Sequence, residues 1–449
     1  MAKRPSKSAS EPATLAAAGG DDAGGFMLFG GGEPPAAKPA PAAPMAAPTA
    51  APAGKPAKKF AKPRIDPRSR QPLGGGDVAA EAPPPERSGP QRPVSLADVV
   101  GHERAKSLLG EAMARGRVHH AWIFHGPMGV GKFTAALAFA AELLTPPPGD
   151  TQYESVKAML RAGTHPDLHV VTKELARISR NPKIRENKLI TIAKDVVDEF
   201  LLEPITRSRA VDCASRAGRV FIVDEAELLD RSPTSAPTQN SMLKTLEEPP
   251  PGAVIILVCS DEQRLLVTIR SRCQRVGFSP LDGGQTAAVL SRLGEPASGP
   301  VGEWVLGFCE GSPGLAQLAI KQGLFAWHQA LGPVLSVVLD NPSTAVELGT
   351  LCAALVEERA KAVVDADGQA SKEAANRFWA KRMLAFMATA FRAQMVAAPS
   401  AERAERCADA IDLCAKAEGY LDNNVQHPFV FDDLAAQLMA GTSPLPGDP

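Results

Sequence analysis

Phe124-His-Gly-Pro-Met-Gly-Val-Gly-Lys-Phe-Thr134 is the stretch that decides the fold of this chain. Gly126, Gly131 and Lys132 match the phosphate-binding template G-x-x-x-x-G-K-[ST]. The glycines of this template let backbone N–H groups turn toward phosphate oxygens, and the lysine adds a positive charge. The stretch therefore predicts a nucleotide-binding loop, with these candidate residues: Gly126, Gly129, Gly131, Lys132 and Thr134.

The flanking residues provide the strand–loop–helix context that a phosphate-binding loop requires. Residues 121–125 are predicted to form a buried strand, and residues 132–144 a helix that ends at the prolines 146–148. One position departs from the template, because Phe133 replaces the hydroxyl that binds Mg²⁺ and Thr134 stands one place late. A phenyl ring cannot ligate a metal. We therefore assign no certain cofactor and no metal site, and we interpret the loop as a vestigial site at which any binding of ATP and Mg²⁺ is weak.

Composition limits the class of protein. The formal net charge of -1 over 449 residues gives no polyanion-binding signature to the whole molecule, so any contact with nucleic acid must be local. The seven cysteines are scattered without a C-x-x-C pair, which argues against a zinc site or a disulfide framework and fits a reducing cytoplasm. The sequence contains neither an apolar run of about 18 residues nor a signal-peptide core, so no membrane association is expected.

The first 92 residues are rich in proline, alanine and glycine, and we predict that they are disordered. Within them, Phe26-Met-Leu-Phe29 is compatible with a docking peptide, although a stray apolar cluster is the preferred interpretation. Residues 55–70 carry seven basic side chains and one acidic one. These charges could contact DNA phosphates, but solvated charge in a linker is the preferred interpretation.

Arg219-Val-Phe-Ile-Val-Asp-Glu225 is the second landmark in the chain. A continuous apolar run of this kind is typical of a central parallel strand that is buried on both faces. In phosphate-loop enzymes the Asp at the end of this strand helps to bind Mg²⁺, and an adjacent Glu polarises the attacking water. Asp224 and Glu225 are therefore the remaining candidate residues of the nucleotide site.

Further segments complete an α/β domain. Residues 168–172, 190–192 and 253–259, together with 121–125 and 219–223, give five β-type segments that alternate with helices. Two of the predicted helices cover 103–115 and a segment that begins at Asn240, after a polar insertion at 231–239. The pattern predicts a parallel sheet covered by helices.

The runs Asn240-Ser-Met-Leu-Lys-Thr-Leu-Glu-Glu-Pro249 and Thr268-Ile-Arg-Ser-Arg-Cys273 resemble the clamp-loader subunits of bacterial DNA polymerase III, members of the AAA+ superfamily. Ser271-Arg272-Cys273 is the most specific part of the resemblance, which extends over about 93–325. It implies that Arg272 acts catalytically in trans, reaching the γ-phosphate of ATP bound by a neighbouring subunit.

Departures from the active members of the family point to its delta-prime type. Gly314 stands where active members carry a sensing arginine in a Gly-Ser-x-Arg motif, and Phe133 replaces the metal-binding hydroxyl. Residues 145–212 lack the zinc-binding cysteines that many relatives insert, and His165-Pro166-Asp167 forms a predicted turn. The resemblance therefore implies a subunit with little ATPase activity of its own.

The predicted organisation has five parts. After the tail at 1–92 come an AAA+ α/β domain at 93–280, a helical lid at 281–325, a helical collar at 326–439 and a frayed end at 440–449. In the lid, Ser312 is a predicted helix cap with Pro313 in the first turn. Helices such as 378–398 and 403–421 form the collar, which joins subunits in the family.

The resemblance implies a cytoplasmic scaffold within a DNA-directed DNA polymerase holoenzyme. Its expected partners are gamma/tau-type and delta-type clamp-loader subunits, a sliding clamp and, through the complex, primed DNA. The alternative is a gamma-type motor subunit that hydrolyses ATP with Lys132, Thr134, Asp224 and Glu225. A structural DNA-binding protein is a third interpretation, disfavoured because the sequence shows no folded basic patch.

Overall fold

A computed structural model describes residues 92–116, 118–230 and 236–440. The predictions made for residues 1–91 and 441–449, including the segments 26–29 and 55–70, lie outside the described residues. No helix in the described part of the chain is both long enough and apolar enough to cross a membrane.

The centre of the N-terminal half is a five-stranded sheet in the order β2-β3-β4-β1-β5, with every neighbouring pair parallel. Its strands are β1 (Ala121–His125), β2 (Leu168–Val171), β3 (Arg219–Val223), β4 (Ala253–Cys259) and β5 (Gln274–Gly277). The sheet confirms the predicted parallel α/β fold.

Alternating side chains of the strands face two separate hydrophobic clusters. In β1, Trp122 and Phe124 belong to one cluster, whereas Ala121 and Ile123 belong to the other. The first cluster includes Phe139, and the second includes Met242. Because both faces of the sheet are covered, the central strands are continuous apolar runs rather than alternating ones.

Helices surround the sheet and follow it in sequence. Those of the N-terminal half are α1 (Glu103–Ala114), α2 (Lys132–Leu144), α3 (Tyr153–Ala162), α4 (Pro182–Glu186), α5 (Lys194–Val197), α6 (Pro237–Glu247) and α7 (Val267–Arg270). Short 3-10 turns occur at Leu96–Asp98, Lys173–Ile178, Pro204–Thr206, Ala226–Leu228, Glu262–Arg264 and Pro342–Thr344, and a π turn at Asp198–Leu202.

One predicted strand and one predicted helix start were wrong. Residues 190–192 form no strand, and the fifth strand is β5. β5 was missed because three of its four residues are exposed and only Val276 is buried, so it carries no apolar run. Helix α6 begins at Pro237 instead of Asn240, since a proline is favoured in the first turn of a helix.

The C-terminal half is helical, as predicted. It contains α8 (Gly283–Arg292), α9 (Gly299–Phe308), α10 (Pro313–Lys321), α11 (Phe325–Val337), α12 (Ala345–Ala366), α13 (Lys372–Val396), α14 (Ala401–Asp422) and α15 (His427–Ala440). One hydrophobic cluster extends from Leu290 in α8 to Leu438 in α15. The lid and collar helices therefore share a core; the predicted boundary between them stays a prediction.

Trp379 in α13 is 2% exposed, and its ring packs edge-on against that of Trp327 at 6.0 Å. We expect Trp379→Ala to lower the free energy of unfolding by about 3–5 kcal/mol, because it leaves a cavity in the shared core. Calorimetry and urea unfolding followed by circular dichroism would measure the change.

Val396→Ala is a control on the same helix, since Val396 is 83% exposed, and it should change stability by less than about 0.5 kcal/mol. Because the lid and collar share a core, we expect one C-terminal transition. Separate transitions for 281–325 and 326–439 would contradict that expectation.

Candidate functional site

The loop between β1 and α2 has a conformation that requires glycine. The φ angles of Gly126, Gly129 and Gly131 are 141°, 77° and 109°. A Cβ atom added at Gly126 would lie 2.1 Å from the carbonyl oxygen of Phe278, so a side chain there is excluded. The loop thus lies against the end of β5 and leads directly into the first turn of α2.

Five consecutive carbonyl groups of this loop accept hydrogen bonds from other parts of the chain. Their donors lie on α2, at the start of α10 and just before α1. The bonds run from Lys132 Nζ to Gly126 O and Pro127 O, from Ser312 Oγ to Met128 O, from Gly314 N to Gly129 O and from His102 Nε2 to Val130 O, with lengths of 2.6–2.8 Å.

The N–H groups at the end of this loop have no acceptor within α2. The first backbone hydrogen bond of that helix runs from Ala135 N to Gly131 O, so the N–H groups of residues 131–134 precede its hydrogen-bonding pattern. Unpaired N–H groups of a glycine-rich loop that continues into a helix N-terminus form an anion site. The loop therefore fits the phosphate groups of a nucleotide.

Lys132 is the cation of this site. Its side chain is 5% exposed, and its ammonium group also lies 3.3 Å from Ser260 Oγ at the end of β4. Burial lowers the pKa of Lys132, whereas Glu227 raises it by a smaller amount. The ammonium group is thus held at the base of the loop by carbonyl groups, where a bound anion would compensate its burial.

Three carboxyl groups line the cavity that contains Lys132, namely those of Asp224, Glu225 and Glu227. Burial raises the pKa of Asp224 to about 6, and it also raises the pKa of Glu227. Glu227 accepts a hydrogen bond from Ser260 N at 3.1 Å, and its other oxygen is buried without a partner. Glu225 has a φ of 49°, and its carboxylate forms an ion pair with Lys173 at 2.5 Å. Glu227 was not predicted, because no sequence motif marks it.

The donor set for a metal is poor. Phe133 packs against the hydrophobic cluster of α2, whereas Thr134 is exposed. No group of three or more His, Cys, Asp or Glu side chains within the described residues is arranged to hold a metal ion. The hydroxyl that would join Asp224 at a Mg²⁺ ion has no counterpart at position 133.

The start of α10 lies directly on the phosphate-binding loop. Ser312 caps the helix by accepting from Leu315 N, with Pro313 in the first turn, as predicted. A Cβ atom added at Gly314 would lie 2.8 Å from the Cα atom of Gly129. Position 314, where a sensing arginine would stand, is therefore restricted to glycine by backbone contact.

Two cavities meet at this loop. One, of about 640 Å³, lies between the loop, residues 92–100 and the lid, and it is lined by Arg92, Arg161 and Arg292. The other, of about 480 Å³, contains Lys132, Asp224 and Glu227. Arg382 of α13 also lines the second cavity, a contribution that the sequence analysis did not anticipate.

Arg272 lies away from the loop. It lies two residues before β5, whose first residue, Gln274, pairs with Trp122 near the start of β1. Since the strands are parallel, Arg272 is at their amino-terminal ends and the loop at their carboxyl-terminal ends. The guanidinium forms an ion pair with Glu247 at 2.6 Å and donates to Thr268 O at 2.8 Å; the side chain is 35% exposed.

Comparison with known proteins shows similarity over part of the chain. Residues 101–282 match the family model described as DNA polymerase III, delta subunit. The chain is 30% identical over 199 residues to DNA polymerase III subunit delta' of Bacillus subtilis, covering 44% of this chain and 52% of the relative. It is 32% identical over 210 residues to subunit tau/gamma of Haemophilus influenzae, covering 45% and 26%.

The chain thus spans between about a quarter and half of the length of these relatives. Among solved structures, the RuvB Holliday junction branch migration motor of Thermotoga maritima aligns with a TM-score of 0.33 and 16% identity, over 61% of this chain and 79% of that one.

Gly314→Ala tests the contact between the lid and the loop. We expect it to lower the free energy of unfolding by about 1–3 kcal/mol, because the added methyl group meets fixed backbone. Gly307→Ala, in α9 with no atom within 4 Å of the added Cβ, should instead stabilise by about 0.5–1 kcal/mol. Urea unfolding measures both, and equal effects of the two substitutions would refute the contact.

Asp224→Asn tests the burial of the carboxyl group. Between its ordinary pKa of 3.8 and about 6, the folded protein binds more protons at Asp224 than the unfolded chain, so this group lowers stability as pH rises. The substitution should raise the free energy of unfolding at pH 7.5 by about 1 kcal/mol, less than the full pKa shift implies, since Asp224 is partly exposed.

At pH 4.5 the same substitution should have roughly a third of that effect, because the carboxyl group of Asp224 is then protonated in most folded molecules and ionised in most unfolded ones. Glu225→Gln, at an exposed neighbouring carboxylate, serves as the control. An equal gain for Asp224→Asn at both pH values would exclude ionisation as the cause.

Proposed function

We propose that the chain is a delta-prime-like clamp-loader subunit, because residues 101–282 match the family model described as DNA polymerase III, delta subunit, and the chain is similar to a delta' subunit. In this role it is a largely non-hydrolysing AAA+ scaffold that supplies Arg272 to a neighbouring ATPase subunit. Its partners are gamma/tau-type and delta-type subunits. The assembly loads a sliding clamp on primed DNA in the cytoplasm, as part of a polymerase holoenzyme.

The position of Arg272 is the observation that carries this proposal. Phosphoryl transfer builds negative charge on the equatorial oxygens, and a guanidinium stabilises that charge with donors that stay protonated. Arg272 is partly exposed at the opposite end of the sheet from its own loop, so it is available to another subunit. Its ion pair with the half-exposed Glu247 costs little to exchange for a phosphate.

The state of the chain's own loop supports the scaffold role. Position 133 offers no metal-binding hydroxyl, and position 314 offers no arginine. The loop is instead bound by Ser312 and Gly314 of the lid, which hold it in one conformation. A subunit whose lid is fixed on the loop is suited to be a static part of an assembly.

The alternative is a gamma-type motor subunit. Lys132 and Asp224 line one cavity, and this observation favours nucleotide binding by the chain itself. Steady-state ATPase of the isolated chain discriminates between the two roles. Turnover near 1 s⁻¹ that Lys132→Ala abolishes would establish the motor role, whereas the scaffold role requires negligible turnover.

Arg272→Ala should leave the chain folded and incorporated into the complex, while the ATP site that it serves loses about 10³-fold or more in rate. DNA-stimulated ATPase and clamp loading by mixed complexes measure the effect. Arg275→Ala is the matched control, because Arg275 lies three residues away, is 55% exposed and pairs with Glu262. Equal rates for wild-type and Arg272→Ala complexes would rule out the proposed role.

A further inference from the structure

Arg382 projects from α13 into the cavity of the phosphate-binding loop. It lines this cavity together with Lys132, Asp224 and Gly314, although it is 250 residues distant from the lysine in sequence. A second cation is thus close to the loop, and it comes from the C-terminal helices.

The guanidinium of Arg382 has no anionic partner among the described residues. Its Nε atom is buried and forms no hydrogen bond, and the group lies over the ring of Phe378 at 5.7 Å. Glu418 is the nearby acid that raises its pKa, but burial lowers the pKa by more. The carboxylate of Glu418 is bound by Lys381 at 3.2 Å. A partly buried cation without its own carboxylate is stabilised by an external anion.

Other arginines of the same helix differ in this respect. Arg377 donates to Asn424, and Arg392 forms an ion pair with Glu310. Arg382 is the one that faces the loop cavity, so its lack of a partner is a property of that site and not of α13 in general.

Contacts outside the cavity hold the C-terminal helices against the α/β domain. Two hydrogen bonds run from the α/β domain to the loop between α12 and α13. Lys188 Nζ donates to Gly368 O at 2.7 Å, and Leu189 N donates to Gln369 O at 3.3 Å. Arg177 also forms an ion pair with Asp367. These bonds attach the segment that precedes α13, the helix that carries Arg382, to residues 177–189 of the α/β domain.

We propose that Arg382 contacts the terminal phosphate of a nucleoside triphosphate held by the loop at 126–132. Position 314 of the lid supplies no side chain to that phosphate, because it is a glycine in contact with Gly129. The cation instead comes from the collar helix α13. Nucleotide bound without turnover would then cross-link the α/β domain to the C-terminal helices, a role that does not depend on Arg272 or on a clamp-loader assembly.

Calorimetric titration of the full chain with ATPγS and with ADP tests the proposal. We expect Arg382→Gln to weaken ATPγS binding by about tenfold to a hundredfold, because a charge-assisted hydrogen bond to the terminal phosphate is lost. ADP binding should change by less than about threefold, since ADP lacks the group that Arg382 contacts. Arg382→Lys should give an intermediate loss, because it keeps the charge but not the fork of donors.

Arg392→Gln is the matched control, as it removes an exposed arginine from the same helix and should leave both affinities unchanged. Circular dichroism tests whether each variant is folded. If Arg382→Gln does not fold, the affinities of Arg382→Lys for ATPγS and ADP test the proposal instead. Equal losses for ATPγS and ADP would assign Arg382 a structural role only. That outcome, or wild-type protein that binds neither probe at millimolar concentration, would overturn the proposal while leaving the role of Arg272 untouched.

Discussion

The hydrogen bonds to five consecutive carbonyl groups of the loop at 126–130 are the interaction on which the rest of the structure depends. Each carbonyl accepts a hydrogen bond from Lys132 or from a group outside the loop, and the loop continues into the first turn of α2, whose N–H groups have no intrahelical acceptor. The donors come from the lid, from α2 and from the segment before α1. The same bonds therefore shape an anion site and join three parts of the chain around it.

The electrostatics of the site follow from this arrangement. A buried ammonium group and two carboxyl groups with raised pKa values share one cavity, and the bonds of the ammonium group go to neutral oxygens. An anion bound at the loop would therefore gain the charge of Lys132 but would also lie in the same cavity as the carboxyl groups of Asp224 and Glu227. Residue 133, which would supply the metal-binding hydroxyl, is a phenylalanine packed against the hydrophobic cluster. Nucleotide binding and hydrolysis are therefore separable properties of the loop.

The sequence predicted the features that arise from local patterns. Strands β1, β3 and β4 are long apolar runs, and α2 and the Ser312 cap are set by neighbouring residues, so all were predicted to within one or two positions. Strand β5 has a single buried residue and left no pattern to detect. Arg382, Glu227 and the contact of Gly314 with Gly129 were missed because they depend on how distant segments pack, which neither periodicity nor spacing encodes.

The shared core of α8–α15 also limits how the molecule can move. In a hinge between two domains, each side needs its own core so that it can rotate as a rigid body. Here the lid helices are packed into the same core as the last helix of the chain, and residues 367–369 are bonded back to the α/β domain. If the lid moved away from the loop together with the rest of the C-terminal half, two sets of contacts would break. These are the bonds of Ser312 and Gly314 to the loop and the bonds of residues 367–369 to the α/β domain. The lid helices therefore cannot separate from the collar helices without exposing part of this core to water.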